Sequence, residues 1–389
     1  MTRPIRASDE SIQSFEGSKI GPALDRRTFL IGAGVAAGQG FPVSATAQST
    51  TVPSSLYGRV DAYSHFSSLK FLNFAERQAD RPFVLRSMYE RLTTLTDWRE
   101  RIGLLDRNEI DMHVLVPVPW LEAFPKIAND RILAAQAARM MNDELAAFVA
   151  RQPKRFRGVA ALPTVSPEVM VSELHRAVKE LGFLGGFIAV GPTAKRTDHP
   201  DLETLYSTLV ELDATLWLHP SRPPMPDYVD EKVSKFEDWI TFGWLHDTTS
   251  AMVRIAFSGV FDRYPDVRIV AHHHGALLPT CAKRFDSLLA LGELSGDVLA
   301  TKISRPYIDH FRKFYCDTAA FGYEPGVLEI ALKFFGPERV LFGTDTPFDS
   351  SGGQYFTAET LRSIQDMAVS GDVRTALLSG NAIKALKLR

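Results

Sequence analysis

The chain has 389 residues, 45% hydrophobic and 10% aromatic, with 44 basic against 46 acidic side chains and a formal net charge of −2. No basic stripe interrupts that balance, so neither nucleic acid nor an anionic membrane surface is an expected partner. Two cysteines, Cys281 and Cys316, exclude a disulfide scaffold and a thiolate zinc knuckle, and they read as free buried thiols.

At the amino end, Asp25-Arg26-Arg27-Thr28-Phe29-Leu30 precedes an apolar run from Ile31 to Ala37, and Ala45-Thr46-Ala47 offers small residues at a signal-peptidase spacing. That order reads as a twin-arginine export signal over residues 1–47, with the periplasm as destination. The run falls short of the ~20 apolar residues of a spanning helix, so membrane insertion is not expected. Residues 48–57 read as a linker, and the expected catalytic domain covers 58–389.

Within that domain short apolar runs alternate with amphipathic stretches of helical length. The expected strands are Arg59–Tyr63, Met112–Val118, Arg157–Leu162, Gly185–Val190, Thr215–Leu218, Val267–Ala271, Lys313–Cys316 and Arg339–Gly343. Helical periodicity falls on Asp130–Arg151, Pro167–Leu181, Leu202–Asp213, Thr248–Arg263, Leu277–Leu291 and Pro325–Phe335. Eight strand-then-helix units predict an α/β fold, a (β/α)8 TIM barrel. A helical insertion (Phe71–Glu100) follows the first strand, a Pro-rich loop (Pro220–Lys235) follows the fifth, and further helices close the chain from Thr357. No Gly-rich nucleotide loop follows the first strand, which argues against an open, doubly wound sheet.

Four short stretches at expected strand ends gather most of the metal-capable side chains: Asp61–His65, Leu218–Pro220, Ala271–Gly275 and Gly343–Asp345. In a closed barrel the carboxyl ends of all strands share one mouth, where barrel active sites lie. Imidazoles and a carboxylate at one mouth predict a catalytic metal site with an open position, suited to zinc and acceptable to manganese.

The order of a strand-one histidine, His219-Pro220, a His-rich motif ending at Pro279, and Leu341-Phe342-Gly343-Thr344-Asp345 resembles the metal-dependent amidohydrolase-related group. That group includes aminocarboxymuconate-semialdehyde, γ-resorcylate and carboxyvanillate decarboxylases. The resemblance runs from about Val60 to Leu388 and includes Ser258–Pro265. It implies an amidohydrolase-type barrel, with His65, His219 and Asp345 as metal ligands and Asp345 and His273 as catalytic groups. Spacing to Pro279 selects His273 among three neighbours; His272 or His274 remains open, since adjacent residues on a strand face opposite ways. Tyr63 stands where the group usually has His or Glu. This leaves a metal with Tyr63 or water as the further ligand, a weakened site, or a metal-free site as in a lactonase branch.

One divalent ion, zinc first and manganese second, is the expectation carried forward. The resemblance implies a non-oxidative decarboxylase of a hydroxy-aromatic or unsaturated carboxylic acid. Hydrolysis of an amide, ester or lactone is the alternative reaction, and a non-catalytic binding barrel the third. Tyr63, Arg222, Trp217 and Asp247 are candidate substrate contacts, Arg222 for a substrate carboxylate. Asp317 is a candidate partner for a histidine. The expected partner is a small molecule, and relatives suggest a homo-oligomer.

Overall fold

A computed structural model describes residues 57–388 apart from 81–82, 296–302, 304–305 and 320–325. The export signal and residues 48–56 of the linker lie outside the described residues. The strands, in chain order, are β1 (Val60–Phe66), β2 (Met112–Pro117), β3 (Phe156–Gly158), β4 (Ala160–Ala161), β5 (Gly185–Val190), β6 (Thr215–Pro220), β7 (Arg268–Ala271), β8 (Tyr315–Asp317) and β9 (Val340–Leu341). Every pairing among them is parallel, and each strand except β3 pairs with the next in sequence. β3 and β4 are two parts of one barrel strand interrupted at Val159, whose N–H donates to Leu115 O at 3.1 Å. The cylinder closes where Ala62 N donates to Phe342 O (2.7 Å) and Asp345 N to Tyr63 O (3.0 Å). Eight strand positions with helices between them make the expected (β/α)8 barrel.

Burial follows from that closure. All residues of β1, β2, β5 and β6 are buried, because helices cover the outside while side chains fill the inside. Polar residues therefore do not mark strand ends here. Ser64 and His65 ended the expected first strand at Tyr63, yet β1 runs on to Phe66.

The expected insertion is helical: Leu69–Gln78, Arg86–Arg91 and a 3₁₀ turn at Thr93–Leu95 precede the first barrel helix, Trp98–Arg107. Asp97 starts that helix by accepting from Arg99 N, and Asp130 starts Arg131–Val149 by accepting from Ile132 N and Leu133 N. The expected helix Thr248–Arg263 is two, Gly243–Phe257 and Val260–Arg263, broken where Gly259 adopts φ 77°. After β6 the chain runs as an irregular loop into a short helix, Asp238–Thr241, and exposes Tyr228, Val229, Phe236 and Phe242.

Candidate metal centre

The carboxyl ends of β1, β6, β7, β8 and β9 converge on one buried cluster. β1 brings Tyr63 and His65, and β6 brings His219; His272 directly follows β7, Asp317 ends β8, and Asp345 lies just past β9. Gly343 allows the approach of β1, β8 and β9, since a Cβ there would lie 2.9 Å from Asp317 Cβ and 3.0 Å from Tyr63 Cβ.

His65 Nε2 stands 2.8 Å from Asp345 Oδ1, and His272 Nε2 stands 3.2 Å from the same oxygen. These three residues offer donor atoms within 4.8 Å of one another, the one such group among the described residues. Donors around a tetrahedral zinc ion with bonds of about 2.0–2.1 Å lie about 3.3 Å apart, so the spacing suits a cation.

Ring tautomers sharpen the fit. His65 Nδ1 lies 3.1 Å from Val116 O, His219 Nδ1 2.6 Å from Pro220 O, and His272 Nδ1 2.7 Å from Asp317 Oδ2. A ring nitrogen facing an oxygen acceptor must donate, which leaves each neutral ring with its lone pair on Nε2. In His65 that lone pair would meet the Asp345 carboxylate at 2.8 Å, a repulsive contact unless a proton or a cation lies between them. Tying Nδ1 to an acceptor while Nε2 faces the centre is how proteins orient metal-binding imidazoles. The residues present fit a divalent ion.

Electrostatics agree with that arrangement. Burial would push the Asp345 carboxyl up, but His272, with His273 and His65, holds it well below the carboxylate range. Burial also opposes charging of His272, yet Asp317 and Asp345 together raise it to about 9. Burial keeps His219 well below the imidazole range, reinforced by His65 and His272, so its ring is neutral.

Several expected contacts take different places. His272 joins His65 and Asp345 within ligand distance, and His219, also an expected ligand, stands beside them, ring centroids 5.2 Å from His65 and 5.9 Å from His272. His273, the neighbour selected by spacing, lies over His272 with centroids 3.7 Å apart, its Nε2 3.8 Å from Asp345 Oδ2. His273, His274 and Ala276 adopt φ of 57°, 56° and 58°, so strand alternation stops at His272 and cannot sort the three.

Tyr63 is hydrogen-bonded outside the group of His65, His272 and Asp345. Its hydroxyl donates to Leu218 O at 2.9 Å, its ring stacks on His272 at 3.7 Å, and burial, then Asp317 and Asp345, raises its pKa well above the usual phenol value. Trp217 was expected to touch substrate. It is instead fully buried, its indole N–H donating to Ala62 O at 3.1 Å, a strut between β6 and β1. Arg222 and Asp247, both candidate substrate contacts, pair with each other through Nε–Oδ2 (3.1 Å) and Nη2–Oδ1 (2.8 Å). Asp317 does partner a histidine: Oδ2 accepts from His272, and Oδ1 accepts from His273 N and Ala319 N.

Aromatic walls surround this centre. Trp120 lies 5.0 Å from the His219 ring, Trp244 5.8 Å from it, and Phe348 5.2 Å from His65. Trp120 and Phe348 were not anticipated. The signal was their position, just beyond the ends of β2 and β9. An ion-binding floor under aromatic walls suits a planar anionic ligand.

The family model described as amidohydrolase matches residues 121–388, and the chain belongs to that family. A γ-resorcylate decarboxylase of Rhizobium radiobacter is 30% identical over 288 residues, covering 71% of this chain and 84% of the relative. A 2-amino-3-carboxymuconate-6-semialdehyde decarboxylase of Dictyostelium discoideum is 29% identical, covering 74% of this chain and 76% of the relative. Among solved structures, a dihydroxybenzoic acid decarboxylase of Polaromonas sp. JS666 with bound manganese and 2-nitroresorcinol aligns with a TM-score of 0.69 and 27% identity, covering 85% of this chain and 97% of that one.

Proposed function

We propose that this amidohydrolase-family enzyme is a metal-dependent, non-oxidative decarboxylase of a hydroxy-aromatic carboxylic acid. The observation that supports it is the shared focus of the His65 and His272 Nε2 atoms on Asp345 Oδ1. His65, His272 and Asp345 hold the ion, with His219 beside them as a further ligand. Imidazole and carboxylate donors suit zinc, and manganese accepts them too; the manganese in the Polaromonas structure favours manganese here. When bound, the ion supplies Lewis acidity toward the substrate's carboxylate and neighbouring phenolic oxygen.

This chain's own groups do the rest. Trp120 and Trp244, edge-on to each other at 5.9 Å, form the wall against which the substrate ring lies. Asp345 Oδ1 faces His65 and His272, which leaves Oδ2 toward His273. His273, its Nε2 3.8 Å from Oδ2, delivers a proton to the carboxyl-bearing ring carbon. The ring–carboxyl bond then breaks, its electron pair restores aromaticity, and carbon dioxide leaves. Solvent returns the proton to the pair.

The test is carbon dioxide release from a panel of hydroxybenzoates beside a panel of lactones and activated esters. Carbon dioxide from an ortho-hydroxybenzoate supports the lyase; ester or lactone turnover without it would replace the lyase with a hydrolase.

The export signal at Arg26-Arg27 supports a periplasmic enzyme, and the exposed Tyr228, Val229, Phe236 and Phe242 suit self-association. Cell fractionation and light scattering check the two.

A further inference from the structure

A second buried charged group lies close behind the metal centre, and the decarboxylation chemistry does not use it. Asp61, Arg101 and His113 are fully enclosed, and buried charges persist only where they are paired and hydrogen-bonded. Arg101, from the helix Trp98–Arg107, donates through Nε to Thr94 O at 2.8 Å and through Nη2 to the backbone oxygen of His65. Its Nη1 lies 3.4 Å from His113 Nδ1, and His113 Nε2 lies 3.5 Å from Asp61 Oδ2. Asp61 Oδ1 accepts from Tyr63 N (3.0 Å) and Thr344 N (3.3 Å), and Oδ2 accepts from the Thr344 hydroxyl at 2.6 Å. That hydroxyl in turn accepts from Thr346 N at 3.2 Å.

The consequence concerns Asp345. It lies between Thr344 and Thr346 with φ 59°, a left-handed conformation that persists in a non-glycine residue only where its surroundings fix it. β9 is two residues long, and past it the chain around Asp345 is tied to β1 by Asp345 N to Tyr63 O at 3.0 Å and His65 N to Thr346 O at 2.8 Å. His65 and Asp345 are 280 residues apart in sequence, and they meet where the barrel closes. At that seam Asp61 grips the Thr344 side of Asp345, and Arg101 grips the carbonyl of His65.

We propose that Asp61, Thr344 and Arg101 form a clamp that fixes Asp345 relative to His65 and thereby sets the affinity of the centre for its divalent ion. They are positioning residues, and the inference rests on the metal-dependent reading above. The test is calorimetric titration of chelator-stripped full-length protein with manganese, for the wild type, Thr344→Ser, Thr344→Val and Asp61→Asn, beside thermal unfolding of each stripped protein.

Thr344→Ser keeps the hydroxyl and is expected to bind within about threefold of wild type, whereas Thr344→Val and Asp61→Asn weaken binding by about tenfold or more. Should Asp61→Asn fail to fold, the serine–valine pair decides. A Thr344→Val protein that melts earlier but binds manganese like wild type overturns the clamp alone. A wild type that takes up neither manganese nor zinc overturns the metal-dependent reading and the clamp with it.

Discussion

Tyr63 shows how one hydrogen bond fixes a side chain's role. Its hydroxyl donates to Leu218 O, so it ties β1 to β6 and its proton is held on that carbonyl. Tyr63→Phe is therefore expected to cost about 1 kcal/mol in stability, read by chemical denaturation, while metal affinity stays within about threefold. A tenfold loss of affinity would restore the phenol as a ligand. His272 gives the pH prediction. Its pKa is raised to about 9 by Asp317 and Asp345 against the burial that opposes charging. Because the folded value lies above the unfolded one, its contribution to ion-free stability is complete below about 6.5 and is lost as pH rises through about 9. A cation needs the deprotonated Nε2, so apparent metal affinity should rise with pH up to about 9 and then level off. Titrations near pH 7.5 in two buffers of different ionisation enthalpy should show about one proton released per ion; release of none would remove His272 from the ligand set. His65 and Asp345 were legible from their motifs. His272 was legible only as one of three, because the left-handed turn at His273 and His274 leaves no periodicity to read.

Elements were more legible than their ends. Helices such as Arg131–Val149 and Pro167–Lys179 lie within two residues of the expected spans, since an amphipathic period and a capping or proline start define them twice. β1 was read too short because closing the barrel buries Ser64 and His65 as fully as its apolar residues, so polarity no longer signals an edge. Trp217 was misplaced for a related reason: an inward strand residue can lie deep in the barrel or at its mouth, and sequence does not record depth. At the seam, Gly343→Ala would place a methyl 2.9 Å from Asp317 Cβ and 3.0 Å from Tyr63 Cβ. Overpacking of that kind costs about 1–3 kcal/mol and is expected to lower the melting temperature by a few degrees. Unchanged melting would mean that the three strands are not in tight contact there.

For the whole molecule, composition and the alternation of strand and helix were enough to predict a closed parallel cylinder with its chemistry at one rim. Among the described residues no helix is long and apolar enough to cross a membrane. What the sequence hid is how the rim is completed: which imidazole faces Asp345, and that Arg222 and Asp247 pair with each other. Both depend on contacts between segments far apart in the chain, at distances that no local pattern sets. On the proposed function, one divalent ion at His65, His272 and Asp345 is required for decarboxylation. It is tested by carbon dioxide release from an ortho-hydroxybenzoate by chelator-stripped protein as manganese or zinc is added back. Turnover is expected to be negligible without metal and to rise to a plateau at one ion per chain. Full turnover by the stripped protein, with no response to added metal, would contradict it.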